Sequence, residues 1–377
     1  MSLSLQTRIL DSLAGIDPGQ WDALSGDSPF LSHAFLHGLH ETGCASEEHG
    51  WMPRFVTLWK AGRLAGAMPL YLKSHSYGEY VFDWAWADAY HRHGLDYYPK
   101  LLCAVPFTPA TGPRLLAATA ELRLRLLRTA LELAKELHAS SLHLLFPPPE
   151  QASELESAGM MLRTGVQFHW QNVGYRNFDD FLSAMTHDKR KKIKQERRRV
   201  REAGVDFIWL DGLQATAAHW DFFTSCYNRT YRQHHSTPYL NRTFFRRLAQ
   251  NLPHNVLLII GIQEHEPVCA ALNMHNGHTL WGRYWGATRF VGGLHFETCY
   301  YQSIEFCIAR GLRTFEGGAQ GEHKLARGLL PVPTYSGHWL AHPQFGRAVD
   351  EFLEREARGI SVYLDELTEH SPFKPTA

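Results

Sequence analysis

The hydrophobic pattern of the chain runs through the same order of elements twice. "RFVTLWKAGRLAGAMPLYLK", from Arg54, carries apolar residues at strand spacing on both sides of a Gly-containing turn and predicts a hairpin. "NVLLIIGIQEHEPVCAALNMHN", from Asn255, repeats the arrangement with "HEP" at its turn. Each hairpin leads to an aromatic segment expected to form a third strand, "EYVFDWAWADAY" in the first half and "TLWGRYWGAT" in the second. An amphipathic helix and a short buried strand come next: "LRLRLLRTALELAKELH" with "SLHLLF", then "ETCYYQSIEFCIARGL" with "RTFE". The two series lie about 200 residues apart and agree in element order, not in letters. The pattern therefore predicts an α/β protein of two similar lobes, residues 1–173 and 174–377, with mixed sheets flanked by helices.

The second lobe opens with "FDDFLSAMTHDKRKKIKQERRRVREAG", read as helix, interrupted near Thr186–His187 and stopped at Gly204. Two further helices and a long closing amphipathic helix containing Gly359 complete the expected set. From Lys189 to Arg201 nine basic residues face one acidic residue, Glu196, a local charge of +8 in a chain whose net charge is zero. Only Ile193 and Val200 anchor that helix, so most of it is expected in water. Phosphate or RNA binding, with tRNA as the partner, is the sharper reading.

The remaining composition is that of a folded globular chain: 377 residues, 44% hydrophobic and 20% charged. Six cysteines without a CxxC pair point to reduced thiols and a cytoplasmic setting. Arg8 and Asp11 break any signal-peptide core, and the longest apolar run, "VLLIIGI", is too short to span a bilayer. His33 with His37 and His275 with His278 have helical ligand spacing but lack a third ligand, so no metal is expected. There is no GxSxG elbow, GxxxxGK[ST] loop or GxGxxG turn, which removes support for ATP hydrolysis and NAD chemistry.

Three stretches can carry chemistry. The first is "GGAQGEHKLARG" after the strand "RTFE". Its glycines Gly317 and Gly318 expose backbone amides at a strand end, where α/β folds place ligands. Glu316 or His323 is the candidate proton acceptor there; Lys324 joins the glycine amides as electrostatic stabiliser, and Gln320 and Arg327 are substrate contacts. The second is "RFVGGLHFE", where Arg289, Gly292 and Gly293 precede a helix and can hold a pyrophosphate. The third is "FDWAWADAYHRHGLDYYPK" with "VPFTPATGPRLL". Asp83, Trp84, Trp86, Tyr97 and Tyr98 mix carboxylate with aromatic surface, and Arg114 is a candidate for an anionic group. Tyr284, in "LWGRYWGA", joins the substrate contacts.

These stretches, with the "DKRKKIKQERRRV" helix and "FEGGAQGEHKLARGLLPVPTYSGHW", resemble the FemAB-like branch of the GNAT acyltransferase superfamily, described as N-acyltransferases of peptidoglycan biosynthesis or recognition. The resemblance implies two GNAT-like lobes with a substrate groove between them. It implies transfer of an acyl or aminoacyl group from acyl-CoA or aminoacyl-tRNA, as co-substrate, to the amine of a small molecule or peptide. Lys324 falls where that pattern has its lysine after the glycine turn, and Glu316 where it usually has aspartate. Of the acyl-CoA loop Q/R-x-x-G-x-G/A, "RFVGGL" supplies Arg289 and Gly292 and ends in Leu294. The rival readings are a non-catalytic muropeptide- or peptide-binding module of the same fold, and an RNA-binding protein.

Overall fold

Short-range pattern and tertiary demand agree over most of the chain, and the computed structural model describes residues 4–318 and 321–374. The chain forms two compact units: residues to Gly165 with Pro333–Val362, and Val166–Val332 with the residues from Tyr363 onward.

The first unit begins with β1 (Gln6–Leu10), α1 (Pro18–Ser25), α2 (His33–Glu41), β2 (Trp51–Pro53), β3 (Phe55–Lys60), β4 (Arg63–Met68) and β5 (Leu70–Lys73). It continues through α3 (Trp84–Arg92), β6 (Lys100–Cys103), β7 (Leu116–Ala117), α4 (Ala120–Glu136), β8 (Ser141–Leu145) and α5 (Pro149–Ser157). The expected hairpin is β3–β4, turning at Ala61 and Gly62, both with positive φ. β1, β3, β4 and β7 form an antiparallel sheet, whereas β6 pairs parallel to β8. Leu126, Leu127, Ala130, Leu133 and Ala134 form the buried stripe of α4, and the Thr119 side chain caps its start.

One expected strand is a helix. "WAWADAY" belongs to α3, which buries Trp86 and Tyr90 four residues apart and leaves Trp84 41% exposed. Alanines at 85, 87 and 89 favour the helix, and the i, i+4 aromatic pair outweighs the strand preference of its rings.

In the second unit the chain passes from β9 (Met161–Gln171) to α6 (Phe178–Ala184), α7 (His187–Glu202), β10 (Val205–Leu210), α8 (Ala217–Gln233) and α9 (Arg242–Asn251). The strands β11 (Val256–Gln263), β12 (Glu266–His275) and β13 (Thr279–Ala287) follow. The chain is then helical from Leu294 to Arg310: α10 (Leu294–Phe296), a π turn (Glu297–Tyr301) and α11 (Gln302–Arg310). β14 (Thr314–Glu316), a 3₁₀ turn (Glu322–Arg327), β15 (Leu330–Leu340) and α12 (Pro343–Glu369) complete it. The strands of this unit run in the order β10-β11-β12-β13-β14-β9, with β13–β14 the parallel pair. β15 returns the chain to the first unit, where it pairs with β8.

The expected break between residues 173 and 174 thus differs from the observed division. The chain changes unit inside β9, inside β15 and once more inside α12, so every change falls within a regular element and not at a linker. The interruption near Thr186 is as expected: Thr186, in extended conformation, separates α6 from α7.

Candidate active site at the end of β14

Glu316 ends β14, a three-residue strand flanked by β13 on one side and β9 on the other. The register sets Trp281, Glu316 and His169 abreast on three adjacent strands. Residues in register project to one face of a sheet, so their side chains meet. Glu316 Oε2 lies 3.9 Å from His169 Nε2, and Trp281 flanks Glu316 on the other strand. Burial raises the Glu316 carboxyl from its ordinary value to about 8, against the opposing influence of neighbouring Trp281 and the Arg283 charge. Burial, with help from the charge of Lys324, lowers His169 to about 4. The imidazole is therefore neutral at pH 7, and its Nε2 is also 3.2 Å from Gln167 Oε1.

β13 runs on from Gly282 to Ala287 after β14 has ended, so the parallel strands part at Glu316. The register between β12 and β13 jumps at Leu272/Asn273, which leaves Arg283 as the extra residue of a bulge. Beside Gly282, Asn273 is buried and its Nδ2 has no hydrogen-bond partner among the described residues.

The glycine turn occupies the parting of the strands. A Cβ on Gly317 would lie 2.6 Å from Leu329 Cδ2 and 3.3 Å from Lys324 Cδ, so the bare backbone is what admits the lysine stem. Gly318 has φ 81 and its carbonyl accepts a hydrogen bond from Lys324 Nζ at 2.8 Å. Lys324 is 2% exposed, and burial lowers its ammonium to about 8. The Gly317 N–H differs from expectation: it donates to the Phe168 carbonyl at 3.3 Å, extending the β14–β9 ladder, and is not open to a substrate oxygen. Gln320 lies outside the described residues.

Two other residues of this loop face away from the strand end. Arg327 is buried, donates to both Glu196 oxygens at 2.9 and 3.0 Å and to the His323 carbonyl at 2.7 Å, and packs 3.3 Å above the Phe296 ring. It anchors the loop to α7 and is not presented to a ligand. His323 is exposed, with Nε2 3.0 Å from the Tyr300 hydroxyl and its ring near His295 and Phe296. Burial and the charges of Lys324 and Arg327 lower its pKa.

Beyond the parting, Tyr284 packs edge-on against Tyr227 and accepts from Arg283 Nη2 at 3.1 Å. Gly293, with φ 91, starts the 294–310 helix and sits close to α7: its Cβ position is 3.4 Å from the Glu196 carbonyl. Arg289 is exposed, 3.4 Å from Gln263 Oε1 and 3.7 Å from Glu264 Oε2. This loop borders a cavity of about 380 Å³ lined by Arg229, His234, Trp285, Arg289 and His295, among others.

The candidates of the first unit separate into a sealed network and a surface. Lys100 is fully buried and ion-pairs with Asp83 and, at 2.8 Å, with Glu79. Burial alone would raise Asp83, but the adjoining Lys100 ammonium more than offsets it and holds the carboxyl well below its usual range. Tyr97 donates to Asp83 Oδ2 at 2.7 Å and lies 3.1 Å from His143 Nε2, which in turn meets His338 through a 2.7 Å Nδ1–Nδ1 contact. Trp86 packs edge-on against His338. Asp83, Trp86 and Tyr97 are thus interior and do not line an open site; Tyr98 is half-buried on Ser76, and Trp84 is on the surface. Arg114 also departs from expectation. It is 1% exposed, and its guanidinium donates to the carbonyls of Leu145, Ala110, Gly112 and Pro113, so it is structural.

Sequence reading missed His169, Trp281, Arg283 and Asn273. All four sit within ordinary strand patterns, and only cross-strand register brings them to Glu316 or its neighbours.

In the basic helix, Arg197 turns inward to Glu297 at 3.0 Å and Glu305 at 2.6 Å, and over the Phe178 ring at 4.2 Å. Lys191, Lys192, Lys194, Arg198, Arg199 and Arg201 are exposed. Among the described residues no three His, Cys, Asp or Glu could hold a metal ion, and no helix is long and apolar enough to cross a membrane.

The chain folds like several solved proteins at low sequence identity. FemX is 12% identical with a TM-score of 0.56, over 92% of this chain and 100% of that one. The C-terminal domain of a putative lysylphosphatidylglycerol synthetase from Agrobacterium fabrum is 10% identical with a TM-score of 0.55, over 88% and 94%. The L-PGS of Bacillus licheniformis is 10% identical with a TM-score of 0.53, over 89% and 97%. No curated protein sequence matches the chain. The fold is α/β, two units with mixed sheets flanked by helices, and the protein is an acyltransferase. A family profile described as peptidoglycan biosynthesis/recognition matches residues 12–375: the chain belongs to the FemAB-like family.

Proposed function

We propose that the protein transfers an acyl or aminoacyl group from an activated donor, acyl-CoA or aminoacyl-tRNA, to an amine of a peptidoglycan precursor or related peptide in the cytoplasm. The observation that carries the site assignment is that two buried groups, Glu316 and Lys324, flank the glycine turn, the lysine against Gly317 and bonded to the Gly318 carbonyl, with burial raising the first to about 8 and lowering the second to about 8. Acyl transfer to nitrogen needs a base for the amine proton and positive charge for the developing oxyanion. Ionised Glu316 takes the proton as the new C–N bond forms, and returns it to the thiol or hydroxyl released when the donor's C–S or C–O bond breaks. Lys324 and the Gly318 amide stabilise the oxyanion, with the unpartnered Asn273 Nδ2 as a further donor. Neutral His169 packs beside the carboxyl without adding charge to the site.

The cavity beside Arg289, Gly292 and Gly293 suits the donor's phosphate-bearing end, since it combines arginine side chains with a helix start. The exposed basic face of α7 supports aminoacyl-tRNA as the donor. Incubating the purified chain with acyl-CoAs or aminoacyl-tRNAs and wall-precursor peptides, with products read by mass spectrometry, tests the reading. An amide product lost in Glu316→Gln is expected. Saturable peptide binding without product from any donor would leave the binding-module reading instead.

A further inference from the structure

β10 is an end strand with an unprotected edge. One side pairs with β11 over six consecutive residues without a register shift, and the other pairs with no strand among the described residues. Exposed edges are normally blunted by proline, lysine, a bulge or a covering segment, because their free N–H and C=O groups template further pairing. "VDFIWL" has none of the first three. Phe207, Ile208, Trp209 and Leu210 are each only half-buried.

A cleft of about 750 Å³ accompanies this edge and is lined by all six residues of β10. Successive strand side chains point to opposite faces, so a cleft touched by every one of them runs along the edge and not over one face. Its far wall comes from α7 and the 297–305 helical segment. Trp209 is fixed there by a 2.9 Å hydrogen bond to Gln302, and Arg197 by Glu297 and Glu305. Asp206 and Arg201 line the same cleft, are exposed, and have no ion pair among the described residues. The cleft therefore has a backbone-pairing side, an apolar lining and one free charge of each sign.

The geometry points to a docking site for an extended peptide segment, added to the sheet as a further strand along β10. Six residues of edge span about 20 Å, enough for a peptide of similar length. Main-chain hydrogen bonds supply affinity in this mode, and flanking side chains select sequence. Asp206 selects a basic residue in the segment and Arg201 an acidic one. A second copy of the chain is the rival occupant. The flanking α7 wall favours a single strand over a whole sheet edge.

The probe is a fluorescein-tagged eight-residue peptide of alternating valine and threonine with one lysine and one glutamate. Its control is the same peptide with every second backbone amide N-methylated, which cannot pair. Saturable binding of the first, at least tenfold weaker for the control, is expected, with slowed hydrogen exchange at residues 205–210. Asp206→Lys, an exposed change, should weaken binding at least fivefold with Tm unchanged. Equal binding of both peptides, no binding, or a dimer that Asp206→Lys dissolves would overturn the assignment.

Discussion

Glu316 and His169 lie on neighbouring antiparallel strands, directly opposite in register, with a carboxylate oxygen 3.9 Å from an imidazole nitrogen. Neither is charged in most molecules at pH 7, because burial raises one to about 8 and lowers the other to about 4. In the proposed mechanism Glu316 therefore becomes competent as a base only as pH approaches 8.

That balance sets a pH profile. Below about 8 activity should rise tenfold per pH unit as Glu316 ionises, and above about 8 it should fall as Lys324 loses its proton. Initial rates from pH 6 to 10 should thus trace a bell centred near 8; a rate flat across that range would remove both groups from the chemistry.

Glu316→Gln keeps the shape and removes the base, so kcat should fall by about 10²–10⁴-fold. Stability carries the opposite signature. The folded carboxyl binds a proton up to about 8 whereas an unfolded one releases it near 4.5, so the wild type loses stability as pH rises from about 4.5 to 8. Denaturant midpoints at pH 5 and pH 8 should differ less in Glu316→Gln than in the wild type.

Lys324→Met preserves most of the buried stem and deletes the charge. Transfer should drop at least about 10²-fold with little change in Tm near neutral pH. A large fall in Tm would make the Gly318 hydrogen bond a structural tie first.

Two glycines should respond in opposite ways. Gly317→Ala places a Cβ 2.6 Å from Leu329 and 3.3 Å from the Lys324 stem, so it should cost about 1–3 kcal/mol and activity together. A Cβ on Gly292 meets nothing within 4 Å, so Gly292→Ala should keep Tm and raise only the donor KM. Thermal melts alongside donor titrations separate the two.

The two faces of α7 should also separate. Arg197→Met leaves the 4%-exposed Glu297 without its cation and should destabilise the fold by about 3 kcal/mol. Reversing exposed Lys191, Lys192 and Arg199 to Glu should leave Tm alone. It should raise the KM for aminoacyl-tRNA at least tenfold and flatten its salt dependence, with no effect on acyl-CoA.

Local pattern was sufficient for the β3–β4 and β11–β12 hairpins, the α6–α7 break, the helix before β14 and the glycine turn after it, because each depends on neighbours a few residues away. It also singled out Glu316 and Lys324 as candidates for the proposed site, since an acid at a strand end and a lysine after glycines are visible in the letters. It could not distinguish Trp84 on the surface from Trp86 in the interior, because both are tryptophan and only packing of α3 divides them. Nor could it show that the Arg114 guanidinium is consumed by four carbonyls, or that the Gly317 amide is already bonded to Phe168. His169 reached Glu316 across 147 residues of chain through strand register alone. Elements follow from local periodicity; which buried groups shift their proton affinity follows from what the fold sets against them, and that was decided only in three dimensions.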